Sequence, residues 1–198
     1  MAITHPIAIR GAWLDGYTLD YHTVSSTYVG DNEFGHPVFD TQRTPLGELL
    51  FRLKSRSDQS VVDEIVDAVE SFIELTWKPR ITVIVPVSPS NTARKAQPVF
   101  LLADALGKRL KLRVHYDAVT KIRKTPQLKN VYDYAERAKV LDGAFKADSA
   151  VIRGQSILLF DDLYRSGATM NAVAKVLTAE GQAAAVHALA LTRTRRRS

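Results

Sequence analysis

The stretch Ile157-Leu-Leu-Phe-Asp-Asp-Leu-Tyr-Arg-Ser-Gly-Ala-Thr169 decides the fold of this chain. It begins as an apolar run typical of a buried strand and continues into two adjacent carboxylates, Asp161 and Asp162. A short loop with a glycine then leads into a helical pattern that begins near Met170. In an open parallel sheet, ligands bind beyond the carboxyl ends of the strands, where these carboxylates are expected. The stretch therefore predicts an α/β fold with a site at that end of the sheet.

The loop after the two carboxylates has the composition of an anion site. Ser166 and Thr169 supply hydroxyl donors, Gly167 permits a close approach of the backbone, and the N–H groups of a helix N-terminus converge there. A carboxylate pair beside such a loop suits sugar hydroxyls, or a hydrated Mg²⁺, next to a phosphate. We therefore expect a sugar phosphate as the ligand. The alternative is that Asp161 and Asp162 only cap the turn into the helix.

Short apolar runs alternate with helical patterns on both sides of this stretch, which is typical of a parallel sheet buried on both faces. The predicted strands are Ile81–Val87, Leu112–His115, Ile157–Asp161 and Ala184–Leu191, and the predicted helices between them are Pro98–Leu110 and Met170–Glu180. Two further helices are expected, one after Pro45 and one that begins at Ser60, with the Ser60 side chain as its cap.

Composition excludes several classes of protein. The 198 residues are 45% hydrophobic and 24% charged, as expected for one globular domain, and no cysteine is present. Disulfides, thiolate zinc sites and cysteine nucleophiles are therefore excluded. No apolar run approaches the roughly 18 residues of a membrane helix, so we expect a cytoplasmic protein without a membrane partner. The net charge of +6 falls to +2 without the four arginines between residues 193 and 197, so the body of the chain is nearly balanced.

The residue pattern divides the chain into three parts. Residues 1–45 read as an N-terminal appendage of short strands and turns, residues 46–193 as the α/β domain, and residues 194–198 as a basic tail. The basic segment 120–140 is too polar for a core element and long for a connection inside a domain, so we expect a mobile loop that covers a ligand. A solvated surface loop is the alternative. We expect the acidic segment 11–42 either to lie against this basic segment or to bind a different ligand.

The stretch around Asp161 resembles the phosphoribosyl-pyrophosphate signature of the type I phosphoribosyltransferases. With Arg153-Gly154 and Tyr164 it is most similar to the ComF-like branch, which is associated with competence. Other segments that resemble this branch are Leu46-Gly-Glu-Leu-Leu-Phe-Arg-Leu-Lys54, Val85-Pro-Val87, Arg123-Lys-Thr-Pro-Gln127, Glu136-Arg137 and Gly143-Ala-Phe145. Four features depart from it: the chain has no cysteine zinc ribbon, Arg165 replaces a small hydroxyl or similar residue, the loop 88–97 is short, and Val140 replaces an asparagine.

The resemblance implies a fold and a role for each part of the site. The fold is a central, mostly parallel, twisted sheet flanked by helices, with a flexible hood loop. Asp161 and Asp162 hold the ribose 2′- and 3′-hydroxyls, directly or through Mg²⁺ as cofactor. The residues implied to bind the 5′-phosphate are Arg165, Ser166, Gly167, Ala168 and Thr169, those implied near the pyrophosphate are Ser88, Arg94 and Lys95, and those of the flexible loop are Lys121, Arg123, Lys124 and Arg137.

The implied activity is transfer of the 5-phosphoribosyl group from phosphoribosyl pyrophosphate to an unidentified nitrogenous acceptor, with release of pyrophosphate. Two alternatives stay open: a non-catalytic regulator that binds phosphoribosyl pyrophosphate or a nucleotide, and an accessory factor in DNA uptake. The arginines of Arg193–Arg197 predict weak, salt-sensitive contact with nucleic acid. We also expect a homodimer.

The histidines show no regular metal-ligand spacing. His187 alternates with apolar residues in a predicted strand, so we expect a buried histidine with its hydrogen bond satisfied. His22 and His36 lie among acidic residues, and a metal site there is the alternative.

Overall fold

The computed structural model of the protein describes residues 4–89, 97–125 and 134–195. The strands in this part of the chain are β1 (Ile7–Ala8), β2 (Asp15–Tyr21), β3 (Thr23–Asp31), β4 (Pro37–Arg43), β5 (Val83–Pro86), β6 (Arg113–Val114), β7 (Val119–Lys121), β8 (Phe145–Ala147), β9 (Ser156–Tyr164) and β10 (Ala185–Arg193). The helices are α1 (Pro45–Ser55), α2 (Val62–Ser71), α3 (Pro98–Leu110), α4 (Tyr134–Leu141), α5 (Ser149–Ile152) and α6 (Ala168–Ala179). Short helical turns at Gln59–Val61 and Phe72–Trp77 flank α2.

Six strands form a central sheet in the order β1-β2-β10-β9-β5-β6. All neighbours in this sheet run parallel except β1, which is antiparallel to β2 at one edge. The two longest of its strands, β9 and β10, lie side by side in the middle and pair from Ser156 opposite Ala185 to Tyr164 opposite Arg193. Their apolar runs are continuous because both faces of the sheet are covered. The predicted mostly parallel sheet is therefore confirmed.

Helices cover the sheet on both faces. On one face α1, α2 and α3 form an apolar core in which Leu50 and Leu102 are fully buried together with Phe160 of β9. On the other face α6 forms a second core, in which Leu177 lies with Leu159 of β9. Consecutive residues of β9 thus belong to opposite layers, as the alternation of side chains along a strand requires.

Helix α1 forms for local reasons that are visible in its first turn. The Thr44 hydroxyl accepts a hydrogen bond from the Gly47 N–H at 3.0 Å, and Pro45 occupies the first position of the helix, where its missing N–H leaves no bond unmade. The leucines that the helical period predicts to be buried are buried: Leu46, Leu49, Leu50 and Leu53. The predicted helix after Pro45 is confirmed.

The expected cap at Ser60 is wrong. Asp58 caps the helical turn Gln59–Val61, because its carboxylate accepts a hydrogen bond from the Ser60 N–H at 3.1 Å, and α2 begins only at Val62. An ionised carboxylate at this position also interacts favourably with the positive end of the helix dipole, so it competes well with the serine hydroxyl.

The N-terminal segment contains the expected short strands, but it is not separate from the sheet. β2 pairs in parallel with β10, and Leu19 of β2 is fully buried in the core under α1. This pairing joins residues about 170 positions apart and leaves no local signal in the sequence. Only β3 and β4 form a detached antiparallel hairpin. Most of its large apolar side chains are exposed: Val24, Tyr28, Val29, Phe34, Val38 and Phe39.

Both ends of the segment 120–140 have regular secondary structure, so this segment is not a simple loop. β7 pairs with β8 in a small two-stranded antiparallel sheet, in which Val119 lies opposite Ala147, and α4 lies between these strands in the chain. Residues 126–133 lie outside the described residues, so the expected covering loop stays a prediction. Within the described ranges, no helix is both long enough and apolar enough to cross a membrane.

Candidate functional site

The two carboxylates lie within β9 and not at its end. β9 continues past Asp161 and Asp162 to Tyr164, because β10 pairs with it throughout this length. β5, on the other side of β9, ends at Pro86 opposite Phe160. Both carboxylates therefore stand just beyond the carboxyl end of β5, at the edge where parallel sheets bind ligands.

Asp161 and Asp162 point to opposite faces of the sheet, because consecutive strand residues alternate. Asp161 follows Leu159 onto the face covered by α6, and Asp162 follows Phe160 onto the face covered by α1. The contact between Asp162 and Lys54 of α1 agrees with this assignment. The pair is therefore not a chelating dyad with both carboxylates directed at one point.

Asp162 is bound by a lysine that sequence reasoning missed. The Lys54 ammonium donates to Asp162 Oδ1 at 2.9 Å and lies 2.9 Å from Oδ2. Lys54 ends one of the segments that resemble the ComF-like branch, but its residue type alone does not indicate a partner 108 positions away. The ion pair holds the end of α1 against the candidate site.

Asp161 has a different environment from its neighbour. Burial raises the pKa of Asp161 above its ordinary value of 3.8, and the negative charge of Asp162 raises it further. Its Oδ1 accepts a hydrogen bond from the Asp162 N–H at 2.8 Å, which opposes this rise because it stabilises the carboxylate form. Asp161 therefore holds its proton to a higher pH than an ordinary aspartate does.

We expect Asp161→Asn to be more stable than the parent protein at neutral pH and to lose this advantage in acid. A carboxyl group whose pKa is raised in the folded state destabilises that state as the pH rises from its ordinary value through the raised value. Below the ordinary value the group is protonated in both states, so the difference disappears. Urea unfolding across this pH range measures it.

The matched control is Asp162→Asn, which breaks the ion pair with Lys54 and should lower stability at neutral pH. An advantage of Asp161→Asn that stays constant with pH would contradict the expectation.

The loop after β9 begins helix α6 earlier than expected. The helix starts at Ala168, two residues before the predicted Met170, so Ala168 and Thr169 belong to its first turn. Gly167 has a φ of +76°, and a Cβ at this position would overlap the ring of Tyr164. A glycine is thus required both by the left-handed backbone and by the close approach of this ring.

Asn171 is a second residue that the sequence did not indicate. Its Oδ1 accepts from the Ala12 N–H at 2.8 Å, and its Nδ2 donates to the Gly167 carbonyl oxygen at 3.0 Å. This side chain therefore ties the N-terminal segment to the start of α6. Ser166 adds a local contact, since its Oγ lies 3.4 Å from the Ala168 nitrogen and accepts its N–H.

Positive charge surrounds the face of the site that carries Asp162. Burial lowers the pKa of the His22 imidazole, and the nearby charges of Arg43, Lys54 and Arg165 lower it further. The Nδ1 atom of His22 lies 3.2 Å from Thr192 Oγ1 of β10. The Arg165 charge thus lies near enough to His22 to act on it.

The expectation for His187 is confirmed. His187 is buried, and its Nδ1 contacts the carboxylate of the partly exposed Asp15, to which the Trp77 indole N–H also donates at 3.0 Å. The alternative of a metal at His22 and His36 gains no support, because the described residues contain no group of three or more His, Cys, Asp or Glu able to hold a metal ion.

The remaining predicted site residues are only partly placed. Ser88 follows β5 at the same sheet edge and is partly buried, whereas Arg94 and Lys95 lie outside the described residues. Exposed cations follow at the end of β7 and just after it: Lys121, Arg123 and Lys124. Arg123 donates to the carbonyl oxygens of Val140 and Asp142 at 3.0 and 2.6 Å, which joins this stretch to the end of α4. Arg137 lies in the middle of that helix. Closure of these residues over the site stays a prediction.

The side chains present do not by themselves form a magnesium site. Asp161 and Asp162 face opposite sides of the sheet, and both oxygens of Asp162 contact the Lys54 ammonium. Mg²⁺ prefers several oxygen ligands in octahedral geometry, which one partly buried carboxylate does not supply. No residue of this chain is therefore assigned as a metal ligand.

The comparison with known proteins agrees with this architecture. No family model matches the chain. Competence protein ComFC of Bacillus subtilis (strain 168) is 26% identical over 161 residues, which are 78% of this chain, and the match spans only 62% of the length of ComFC. The crystal structure of adenine phosphoribosyltransferase from Leishmania tarentolae has a TM-score of 0.50 at 11% identity, over 96% of this chain and 94% of that one. Adenine phosphoribosyltransferase from Thermoanaerobacter pseudethanolicus gives 0.46 at 16% identity, over 85% and 95%.

The sequence match and the shared fold support different parts of the resemblance that the sequence analysis predicts. The likeness to the Leishmania enzyme concerns the fold, and the similarity to ComFC concerns the branch that the signature resembles. Together they confirm the predicted resemblance: the chain is similar in sequence to ComFC, and it shares its fold with the adenine phosphoribosyltransferase of Leishmania tarentolae.

Proposed function

We propose that the protein binds phosphoribosyl pyrophosphate at the carboxyl end of β9 and transfers its 5-phosphoribosyl group to a nitrogenous acceptor, with release of pyrophosphate. The observation that carries the proposal is the succession, within nine residues, of two carboxylates, a left-handed Gly167 and the N-terminus of α6. A ribose phosphate offers hydroxyls to a carboxylate and a phosphate to the N-terminus of a helix. The fold and the similarity to ComFC support this function.

Each end of the ligand has a complementary partner in this arrangement. The 5′-phosphate lies at the first turn of α6, where unpaired backbone N–H groups and the helix dipole attract an anion. The Arg165 side chain adds positive charge. Asp162, held in place by Lys54, accepts hydrogen bonds from ribose hydroxyls, since a carboxylate has only acceptors to offer.

The transfer breaks the bond between ribose C1 and a pyrophosphate oxygen and forms a bond from C1 to the acceptor nitrogen, which loses a proton. Positive charge develops on the ribose in the transition state, and the negative charge of the Asp162 carboxylate beside the ring stabilises it. Pyrophosphate leaves with the electron pair of the broken bond. Magnesium enters the proposal as the counter-ion of pyrophosphate, without an assigned ligand on the chain.

Titration calorimetry with phosphoribosyl pyrophosphate and Mg²⁺ tests the proposal. We expect binding by the parent and a loss of at least about tenfold in affinity in Asp161→Asn/Asp162→Asn, because charge-assisted hydrogen bonds to the ribose are removed. Circular dichroism verifies that the variant is folded. The absence of binding by the parent, or equal binding by the variant, would refute it. Release of pyrophosphate with a panel of nitrogenous acceptors then separates an enzyme from a binding protein.

The match to a competence protein favours a second candidate, an accessory factor in DNA uptake. The structure changes which arginines such a contact can use. Arg193 is the last residue of β10, and Arg195 donates to the Thr23 carbonyl oxygen at 3.1 Å with its guanidinium 4.3 Å from the centre of the Tyr21 ring. Contact with nucleic acid, like the homodimer, stays a prediction. The affinity for DNA at physiological salt separates this candidate from the first.

A further inference from the structure

An ammonium group occupies the side of Asp162 that faces α1. The Lys54 Nζ lies 2.9 Å from each carboxylate oxygen, so a single cation contacts both. The Lys54 side chain is 26% exposed and that of Asp162 is 14% exposed, so water and salt screen the attraction less than at an open surface. A divalent cation bound by both oxygens of Asp162 would need the same place.

The helix that carries Lys54 is held firmly against the sheet. Leu50 and Leu53 of α1 are buried in the core beside it, and Gly47 packs so closely on the His22 carbonyl oxygen that a Cβ would overlap it. Lys54 lies in the last turn of α1, where the helix dipole also favours a cation. The position of this ammonium group is therefore built into the fold.

The charge of Asp162 is balanced before any ligand arrives. A partly buried carboxylate that lacked a partner would lower its charge by binding a proton or a metal ion. The contacts with Lys54 hold the carboxylate in one orientation, and its remaining lone pairs are available to a hydroxyl. The ammonium has three donors, so it also can donate to a ribose oxygen.

We propose that Lys54 is a positioning residue that serves as the resident counter-ion of Asp162, so that the ribose phosphate part of the ligand binds without magnesium on the two carboxylates. The inference rests on the proposed function, because it concerns the same site. It predicts that only the binding of the pyrophosphate part of the ligand depends on magnesium.

The probe is ribose 5-phosphate, which has no pyrophosphate group. Calorimetry compares its affinity in EDTA and in Mg²⁺ for the parent, Lys54→Gln and Lys54→Arg. We expect equal affinity of the parent in both buffers, and a loss of about tenfold or more for Lys54→Gln in EDTA that Mg²⁺ partly restores. Lys54→Arg, which keeps the charge, should stay close to the parent. A merely structural role of Lys54 would not create a dependence on magnesium.

Arg52→Gln is the matched control. It removes a cation from the same helix and breaks an ion pair, since Arg52 Nη2 lies 2.7 Å from Asp58 Oδ2, but the pair does not involve the candidate site. Its affinity for ribose 5-phosphate should equal that of the parent.

Two results would overturn the inference and leave the proposed function standing. One is binding of ribose 5-phosphate by the parent only in Mg²⁺, a comparison that needs no variant. The other is parent-like affinity of Lys54→Gln in EDTA. Failure of the parent to bind both ribose 5-phosphate and phosphoribosyl pyrophosphate in either buffer would instead refute the proposed function, and the inference with it.

Discussion

Phe160→Ala is expected to lower the free energy of unfolding by about 3–5 kcal/mol, because it removes a large buried side chain and leaves a cavity. Phe160 belongs to β9 and is 1% exposed, and its side chain packs in the core under the helices α1, α2 and α3. Since a domain of this kind is stable by only about 5–15 kcal/mol, the loss is a large part of the total. Urea unfolding followed by circular dichroism measures it.

Phe39→Ala is the matched control for this prediction. Phe39 lies on the β3–β4 hairpin, is 45% exposed and contacts Tyr28 with ring centres 5.7 Å apart. The same chemical change at this site should cost no more than about 1 kcal/mol, because little apolar area leaves the core. Equal losses for the two variants would show that the hairpin is buried against another surface or that Phe160 is not part of the core.

Gly167→Ala is expected to weaken both folding and ligand binding. A non-glycine residue at a φ of +76° costs roughly 1–2 kcal/mol, and the new Cβ would also overlap the ring of Tyr164. The first turn of α6 must move to relieve this overlap, and its N–H groups then no longer converge on the phosphate. We expect the affinity for ribose 5-phosphate to fall at least about tenfold. We also expect a lower midpoint of urea unfolding.

The control Gly154→Ala separates the effect of backbone strain from the effect of displacing the first turn of α6. Gly154 has a φ of +68°, so alanine meets similar backbone strain, but a Cβ there has nothing within 4 Å. It lies before β9, at the opposite end of the strand from the candidate site. This control should lose stability and keep its affinity. If Gly167→Ala binds ribose 5-phosphate as well as Gly154→Ala does, the first turn of α6 does not hold the phosphate.

Elements with a strong local pattern were predictable. The helix Pro98–Leu110 has the predicted bounds, because proline starts it and a regular apolar stripe continues to its end. The strands β5, β9 and β10 were also found, since short apolar runs bounded by polar residues indicate buried strands whatever their partners are. Their ends differ by up to three residues, because strand ends depend on how far a neighbour continues to pair.

The local pattern of the sequence did not predict that Asp161 and Asp162 face opposite sides of the sheet. Two adjacent residues of a strand must face opposite sides, but the strand was expected to end at Asp161, and a turn would permit both to face one ligand. The extension of β9 to Tyr164 decides the matter, and it exists only because β10 pairs beside it. A local pattern cannot reveal the length of a distant partner.

The sequence by itself determined the α/β class, the position of the two carboxylates at one edge of the sheet and the glycine that precedes α6. These features follow from the apolar period, the turn chemistry and the parallel direction of the strands, all of which are local. Only the tertiary structure decided that β2 joins β10, that Asn171 ties the N-terminal segment to Gly167, and that Lys54 neutralises Asp162. The contacts of β2 with β10, of Ala12 with Asn171 and of Lys54 with Asp162 each join residues more than 100 positions apart. Such contacts depend on how helices and strands pack and not on the residues that flank them in the chain.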